Sequence, residues 1–302
     1  MAKPLEKKSA KILAFILALI MLGSVLVYAL KGTYTTPTRE VAYDTGGFKE
    51  TLKLLTGALQ VYYLNFNTTD QNMVNLIDAY WRSLATDPLF AYLRFTSLSS
   101  MYYVLYPQTA LGYSPYMYLF DVGSSKVFFS YDTKQEYNGV TIKVKRGYGF
   151  TENTNPVAVG TLDAVMNYID LISGERKENS SYAQYIDRLP DMQYDFAIVL
   201  FGEAANQSIR MNGTGGMVAD FYFEGIVVNS SGGYDKVVAI NFLQNVFFVE
   251  AENVTQYYNV TRYDTLNIAF MHDTNFTKIL TAKPEMRAVI IQPVETGNES
   301  RG

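Results

Sequence analysis

His272 is the only histidine in this 302-residue chain, so any imidazole chemistry rests on it. A metal centre built around it needs carboxylates for the remaining ligands, because no second histidine stands at helix or strand spacing. A Ser-His-Asp arrangement assembles from distant segments, but no Gly-x-Ser-x-Gly elbow singles out a serine. Asp273 follows directly and would project from the opposite face of a strand, so it is not the natural orienting partner. The reading taken is a turn-associated surface histidine. Cysteine is absent, which removes thiol nucleophiles, thiolate metal sites and iron–sulfur clusters.

Glycosidic chemistry needs two carboxylates about 5–9.5 Å apart. Asp220 and Glu224 share a strand face, but at that spacing they stand roughly 13 Å apart, which is too far. Glu250 and Glu252 stand roughly 7 Å apart on an extended chain, which is permissible. The simpler reading puts both on the solvent face at the end of a strand. The glycine-rich loop Asn212-Gly213-Thr214-Gly215-Gly216 lacks the Lys-Ser/Thr of a phosphate-binding loop and reads as a turn. These residues give no specific catalytic, cofactor or metal signature, so an enzyme is the less favoured reading.

Modification gives a stronger pattern. Asn-x-Ser/Thr triplets begin at Asn67, Asn179, Asn206, Asn212, Asn229, Asn253, Asn259, Asn275 and Asn298, nine of the 19 asparagines. Chance would give about two or three, and the excess marks these asparagines as N-glycan acceptors. The competing reading is that Asn, Ser and Thr simply crowd turns.

All nine follow one apolar run, Ile12 to Leu30, which holds 19 residues without a charge. As a helix it would be roughly 28 Å long, enough for a hydrocarbon core of about 30 Å. Lys3, Lys7, Lys8 and Lys11 precede it against Glu6 alone, which places the N-terminus in the cytoplasm and the rest of the chain outside. A cleavable signal peptide is the rival reading, with Val27-Tyr28-Ala29 as a small-residue cleavage site. The run exceeds the about 7–15 residues of a signal core, which favours an uncleaved anchor.

Four of the 25 basic and one of the 29 acidic residues precede Lys31, so the exterior carries a net charge of −7. That balance argues against nucleic acid as a partner, and Lys143, Lys145 and Arg146 are read as an exposed strand face. With 48% hydrophobic and 18% charged residues the exterior is an ordered body. The 25 tyrosines suit half-buried strand faces, or a carbohydrate- or partner-binding surface.

The spacing of apolar residues places elements along the exterior. Phe48, Leu52 and Leu55 share a helical face closed by Gly57, and Ala58–Phe66 reads as a buried strand. Thr68 and Gln71 form a capping-box pair ahead of a helix carrying Met73, Ile77, Tyr80, Trp81 and Leu84. LFAYLRF after Pro88 reads as the next strand. Short strands follow, with turns at Gly123-Ser124-Ser125 and Asn138-Gly139. A second helix runs over Thr161–Ser173 and stops at Gly174, and a short one over Tyr182–Leu189. Beyond Asp191, DFAIVLFGE, MVADFYFEGIVV, KVVAINFLQNVFFVEAE, TLNIAFMHD and MRAVIIQPVE all read as strands or hairpins.

The expected fold is an α+β ectodomain with mixed or antiparallel sheets, preceded by one N-terminal transmembrane helix. Residues 1–11 form a cytoplasmic stub, 12–30 the anchor, 31–47 a tether, 48–190 an α/β lobe, 191–294 a β-rich lobe and 295–302 a disordered tail. The expected role is that of a non-catalytic surface or membrane-complex component acting through protein contacts at the cell membrane. A ligand- or glycan-sensing ectodomain is the alternative, and an extracytoplasmic hydrolase built on dispersed carboxylates comes third.

Overall fold

The computed structural model describes residues 40–123, 125–177, 181–209 and 216–288. The expected anchor, most of the tether, the tail and the sequons at Asn179, Asn212 and Asn298 lie outside the described residues. Among the described residues no helix is long and apolar enough to cross a membrane.

The chain is mixed α/β and is dominated by one large antiparallel sheet of twelve strands among the described residues. In chain order these are β1 (Gln60–Asn65), β2 (Ser100–Leu105), β3 (Tyr116–Asp121), β4 (Thr133–Tyr137), β5 (Val140–Lys145), β6 (Tyr148–Thr151) and β7 (Val157–Thr161). They continue as β8 (Phe196–Phe201), β9 (Ala219–Val228), β10 (Tyr234–Phe242), β11 (Tyr257–Tyr263) and β12 (Leu266–Asp273). The spatial order is β11-β12-β10-β9-β8-β1-β2-β3-β7-β6-β5-β4. β8 pairs antiparallel with β1 on one side and β9 on the other. The boundary expected near Asp191 therefore falls inside one sheet, and the described residues from Val41 onward belong to one compact unit.

Six helices among the described residues cover the sheet: α1 (Phe48–Leu54), α2 (Gln71–Leu84), α3 (Leu162–Ser173), α4 (Ala183–Arg188), α5 (Glu203–Ser208) and α6 (Phe276–Thr281). Side chains of α1, α3 and α4 fill one face, where Leu52, Leu55, Val165, Ile169 and Ile186 meet Val61, Val104 and Val199. On the other face α2 seats Met73 and Ile77 against Leu64, Met101 and Phe120. Farther along that face α6 and the ribbon Val246–Phe248/Met286–Ala288 cover Val238, Ile240 and Phe242. Covered on both sides, β10 is buried at all nine positions, which explains its near-continuous apolar run.

Local sequence accounts for most of these boundaries. Asn138 and Gly139 take φ of +46° and +73° between β4 and β5, the left-handed pair that a two-residue hairpin requires. Gly174 closes α3 at φ +79°. Asp70, and not the expected Thr68–Gln71 box, caps α2: its carboxylate accepts from the Met73 N–H at 2.9 Å. LFAYLRF is corrected as well. Pro88–Tyr92 winds into a 3-10 turn capped by Asp87, and Leu93–Phe95 pairs with Val127–Phe129 outside the large sheet. Part of the expected tether is fixed, since Tyr43–Asp44 bridges in parallel to Thr154–Asn155.

Candidate functional site

Two clefts open at the end of β1, one on each face of the sheet. On the α1 face, Asn65 ends β1, Ser99 and Ser100 begin β2, Asp121 ends β3, and the loop Asp191–Tyr194 enters β8. The start of α1 closes the ring with Lys49 and Glu50, after Gly46 turns the chain at φ +82°. The enclosed volume is about 630 Å³. Phe48, Tyr63 and Tyr194 form an aromatic wall, with the Phe48 centroid 4.9 Å from Tyr63 and 5.1 Å from Tyr194. Gly225 makes room for that wall, because a Cβ there would meet the Tyr194 ring at 2.5 Å.

The electrostatics of this cleft are acidic. Glu50 and Asp121 line it, while Asp191 stands in solvent 3.9 Å from the Lys49 ammonium, where water screens the pair. Burial raises the Tyr63 phenol above its ordinary value; the Ser100 hydroxyl opposes this and the charges of Asp121 and Asp195 add to it. Tyr194 is raised by burial and by Asp191. Both phenols therefore keep their protons at neutral pH, and Tyr194 donates its own to the Pro190 carbonyl at 3.1 Å.

The cleft on the α2 face has about half that volume, 330 Å³, and is apolar. Its walls are Phe66, Ile77, Trp81, Phe95 and Leu98. Trp81 meets Phe66 edge-on at 5.7 Å and Phe90 at 5.2 Å. Asn65 lines both clefts. Its amide donates to Asp195 Oδ1 at 3.1 Å, and its Oδ1 accepts from the Asn67 N–H at 3.0 Å. Asp195 Oδ2 in turn accepts from the Val228 N–H at 2.8 Å. Burial raises the Asp195 carboxyl; the Val228 N–H, the Asn65 amide and the Thr68 hydroxyl pull it back, and Asp70 adds a smaller raise.

The sequons divide by environment. Asn67, Asn253, Asn259 and Asn275 are exposed. Asn67 lines the polar cleft, Asn259 lies on β11, and Asn275 caps α6 by accepting from the Lys278 N–H at 3.1 Å. Asn206 and Asn229 are half-buried and employed in the fold. Asn206 Oδ1 accepts from the Val218 N–H at 2.8 Å, and Asn229 Nδ2 donates to Asp235 Oδ2 at 2.8 Å while its Oδ1 accepts from Ser231.

His272 is not in a turn but near the end of β12, and its Nδ1 lies 2.7 Å from Asp235 Oδ1 on the neighbouring strand. Asp273 faces away, as its position implies, and binds Lys278 at 3.0 Å together with the N–H groups of Asn275 and Gln256. Asp220 accepts from Asn241 at 2.8 Å. Glu224 binds Tyr222 and the Lys236 ammonium, the latter at 2.8 Å. Lys236 is 2% exposed and also donates to the Leu280 and Ala282 carbonyls, so this cluster ties α6 to β10. Glu250 and Glu252 sit in an exposed turn beyond the ribbon strand Val246–Phe248. Lys143 and Lys145 pair with Glu152 at 2.5 Å and Asp132 at 2.7 Å. Among the described residues no group of three His, Asp or Glu side chains is arranged to hold a metal.

Neither cleft was visible in the sequence, because Glu50, Asp121 and Asp191 come from three separate segments. For Asp235 and Lys236 a signal existed: two charges inside an apolar strand must be paired.

Comparison with known proteins places this architecture. The AF_2048_N family N-terminal domain matches residues 44–173, from the Tyr43–Asp44 bridge to the last residue of α3. A protein of Archaeoglobus fulgidus named "Uncharacterized protein" is 32% identical over 318 residues, spanning 99% of this chain and 100% of the relative. The chain belongs to this family. No solved structure matches it. The family's N-terminal domain contributes β1 to β7 and the three helices α1, α2 and α3, and thus most of the ring around the polar cleft.

Proposed function

We propose that this protein is a membrane-anchored, N-glycosylated surface component that acts by binding and not by catalysis, and that its contact site is the polar cleft at the end of β1. The cleft carries the reading: the rings of Phe48, Tyr63 and Tyr194 line it together with the carboxylates of Glu50 and Asp121 and the hydroxyl of Ser100. Flat apolar faces beside fixed donors and acceptors suit a hydroxylated solute such as a saccharide, and the acidic balance favours neutral or cationic ligands over anions. The placement outside the cell is supported by the 19-residue apolar run behind four lysines and by the excess of glycan-acceptor triplets.

The test is calorimetric titration of the full chain in mild detergent with neutral, cationic and anionic saccharides. Neutral or amino sugars should bind and acidic sugars should not. The double substitution Glu50→Gln, Asp121→Asn should weaken binding at least about tenfold, as expected for losing charge-assisted hydrogen bonds, with the unliganded melting temperature unchanged. Binding that survives this substitution undiminished, or no binding by any sugar, removes the cleft from the function.

A further inference from the structure

Among the described residues the twelve-stranded sheet has two edges, β11 and β4, and each is a template for another strand unless something blunts it. β4 is blunted by composition. Its five residues, Thr-Lys-Gln-Glu-Tyr, carry a Lys and a Glu, and the first four are exposed. β11 has none of these devices. It is Tyr-Tyr-Asn-Val-Thr-Arg-Tyr, seven residues of which five are Tyr, Val or Thr, with no proline or lysine. Its pairing with β12 runs through seven successive residues without a register shift, so no bulge bends it away. Its one charge is directed elsewhere: Arg262 donates to the Phe248 carbonyl at 2.6 Å and lies over the Phe247 ring at 4.4 Å. Tyr257 and Tyr263, at its two ends, are 51% and 41% exposed. An unbulged strand of this composition, its one charge turned onto the Phe247–Phe248 ribbon, is an aggregation-prone edge.

The feature left over is the sequon. Asn259-Val260-Thr261 sits inside the strand, with Asn259 and Thr261 exposed on the same face. We propose that an N-glycan on Asn259 guards this edge, its bulk keeping a second strand from reaching the 4.7–4.9 Å spacing that pairing requires. The glycan does for β11 what Lys134 and Glu136 do for β4. Without it, β11 of one molecule pairs with β11 of a second copy about a two-fold axis. The inference rests on the glycosylated-exterior reading above, and the experiment separates the two.

The full chain is purified from its native host as wild type and as N259Q, T261A, T261S, N259K and T69A. Glycopeptide mass spectrometry gives occupancy, and size-exclusion chromatography with light scattering gives the association state. N259Q and T261A should lose the glycan and move into dimers and larger species. T261S, which keeps the sequon, should behave as wild type, and so should T69A, which removes the Asn67 sequon on the turn after β1, five strands in from β11. N259K lacks the glycan but carries a charge at the edge, and should stay dispersed. An occupied Asn259 whose loss in T261A leaves association unchanged overturns the guard while leaving the glycosylated exterior standing. Asn259 bare in the wild type while other sequons carry glycans also overturns it. No glycan at any sequon sinks both.

Discussion

The two clefts at the end of β1 share a residue, Asn65, and differ in everything else. One is roughly twice as large and lined with carboxylates, hydroxyls and phenols; the other is a slot of apolar side chains. The strand itself does not make the difference, because tyrosine faces both ways from it. Tyr63 meets Tyr102 on the α1 face, and Tyr62 meets Tyr103 on the α2 face. The covering helices do. α2 is fourteen residues long, and its apolar stripe carries Trp81 past the end of the sheet, where Phe66 and Phe95 receive it. α1 is seven residues long and presents its polar start, Lys49 and Glu50, to the same sheet end. A pocket's chemistry here follows from which part of a helix overhangs the strand ends. Asn65 and its acceptor Asp195 are then the joint on which both walls turn.

The comparison breaks most sharply at that joint. Asp195→Ala leaves the Val228 N–H and the Asn65 amide without their acceptor in a buried setting, at a cost of about 3 kcal/mol. Chemical denaturation of the full chain measures it, and ligand affinity in both clefts should fall together. A loss confined to one cleft would show that Asn65 does not couple them.

A smaller effect separates the clefts. Trp81 is the chain's only tryptophan, so its emission reports the apolar slot alone. Trp81→Ala should cost about 2 kcal/mol, less than a fully buried tryptophan because this ring is only partly buried. Apolar probes should shift the wild-type emission, whereas a sugar held in the polar cleft should leave it in place. Emission that follows sugar binding would join the two spaces into one site.

How much of this could be read from residues alone depended on range. The stripe of α2, the Asn138-Gly139 hairpin and the Gly174 stop are local, and each appears where its spacing puts it. β11 is missing from the sequence reading because only Tyr258 and Val260 pack partly against the core, too few apolar positions in Tyr-Tyr-Asn-Val-Thr-Arg-Tyr to show the alternation that marks a half-buried strand. The pairing of β8 with β1 could not be read at all: it brings Asp195 to Asn65 across 130 residues and turns two expected lobes into one sheet. The Asn-x-Ser/Thr triplets needed no fold to be found, yet only the fold separates exposed Asn67, Asn253, Asn259 and Asn275 from Asn206 and Asn229, which the structure already employs.

The smallest predicted effect is a pH dependence at the same joint. Burial raises the folded-state carboxyl of Asp195 despite the donors around it. A carboxyl raised in the folded state holds more protons there than in the unfolded chain, so stability falls as pH climbs from the unfolded value of about 3.9 up through the folded one. Above that window the penalty is constant, and below it the penalty vanishes. Asp195→Asn removes the titration while keeping one acceptor for the Val228 N–H. Its stability relative to wild type should therefore improve as pH rises from about 4 toward neutrality, then hold level. Thermal melts of both proteins across that range read the difference directly. A gap that stays constant from acid to neutral pH would mean that the donors around Asp195 fully offset its burial. The two clefts would then share a neutral hinge and not a titrating one.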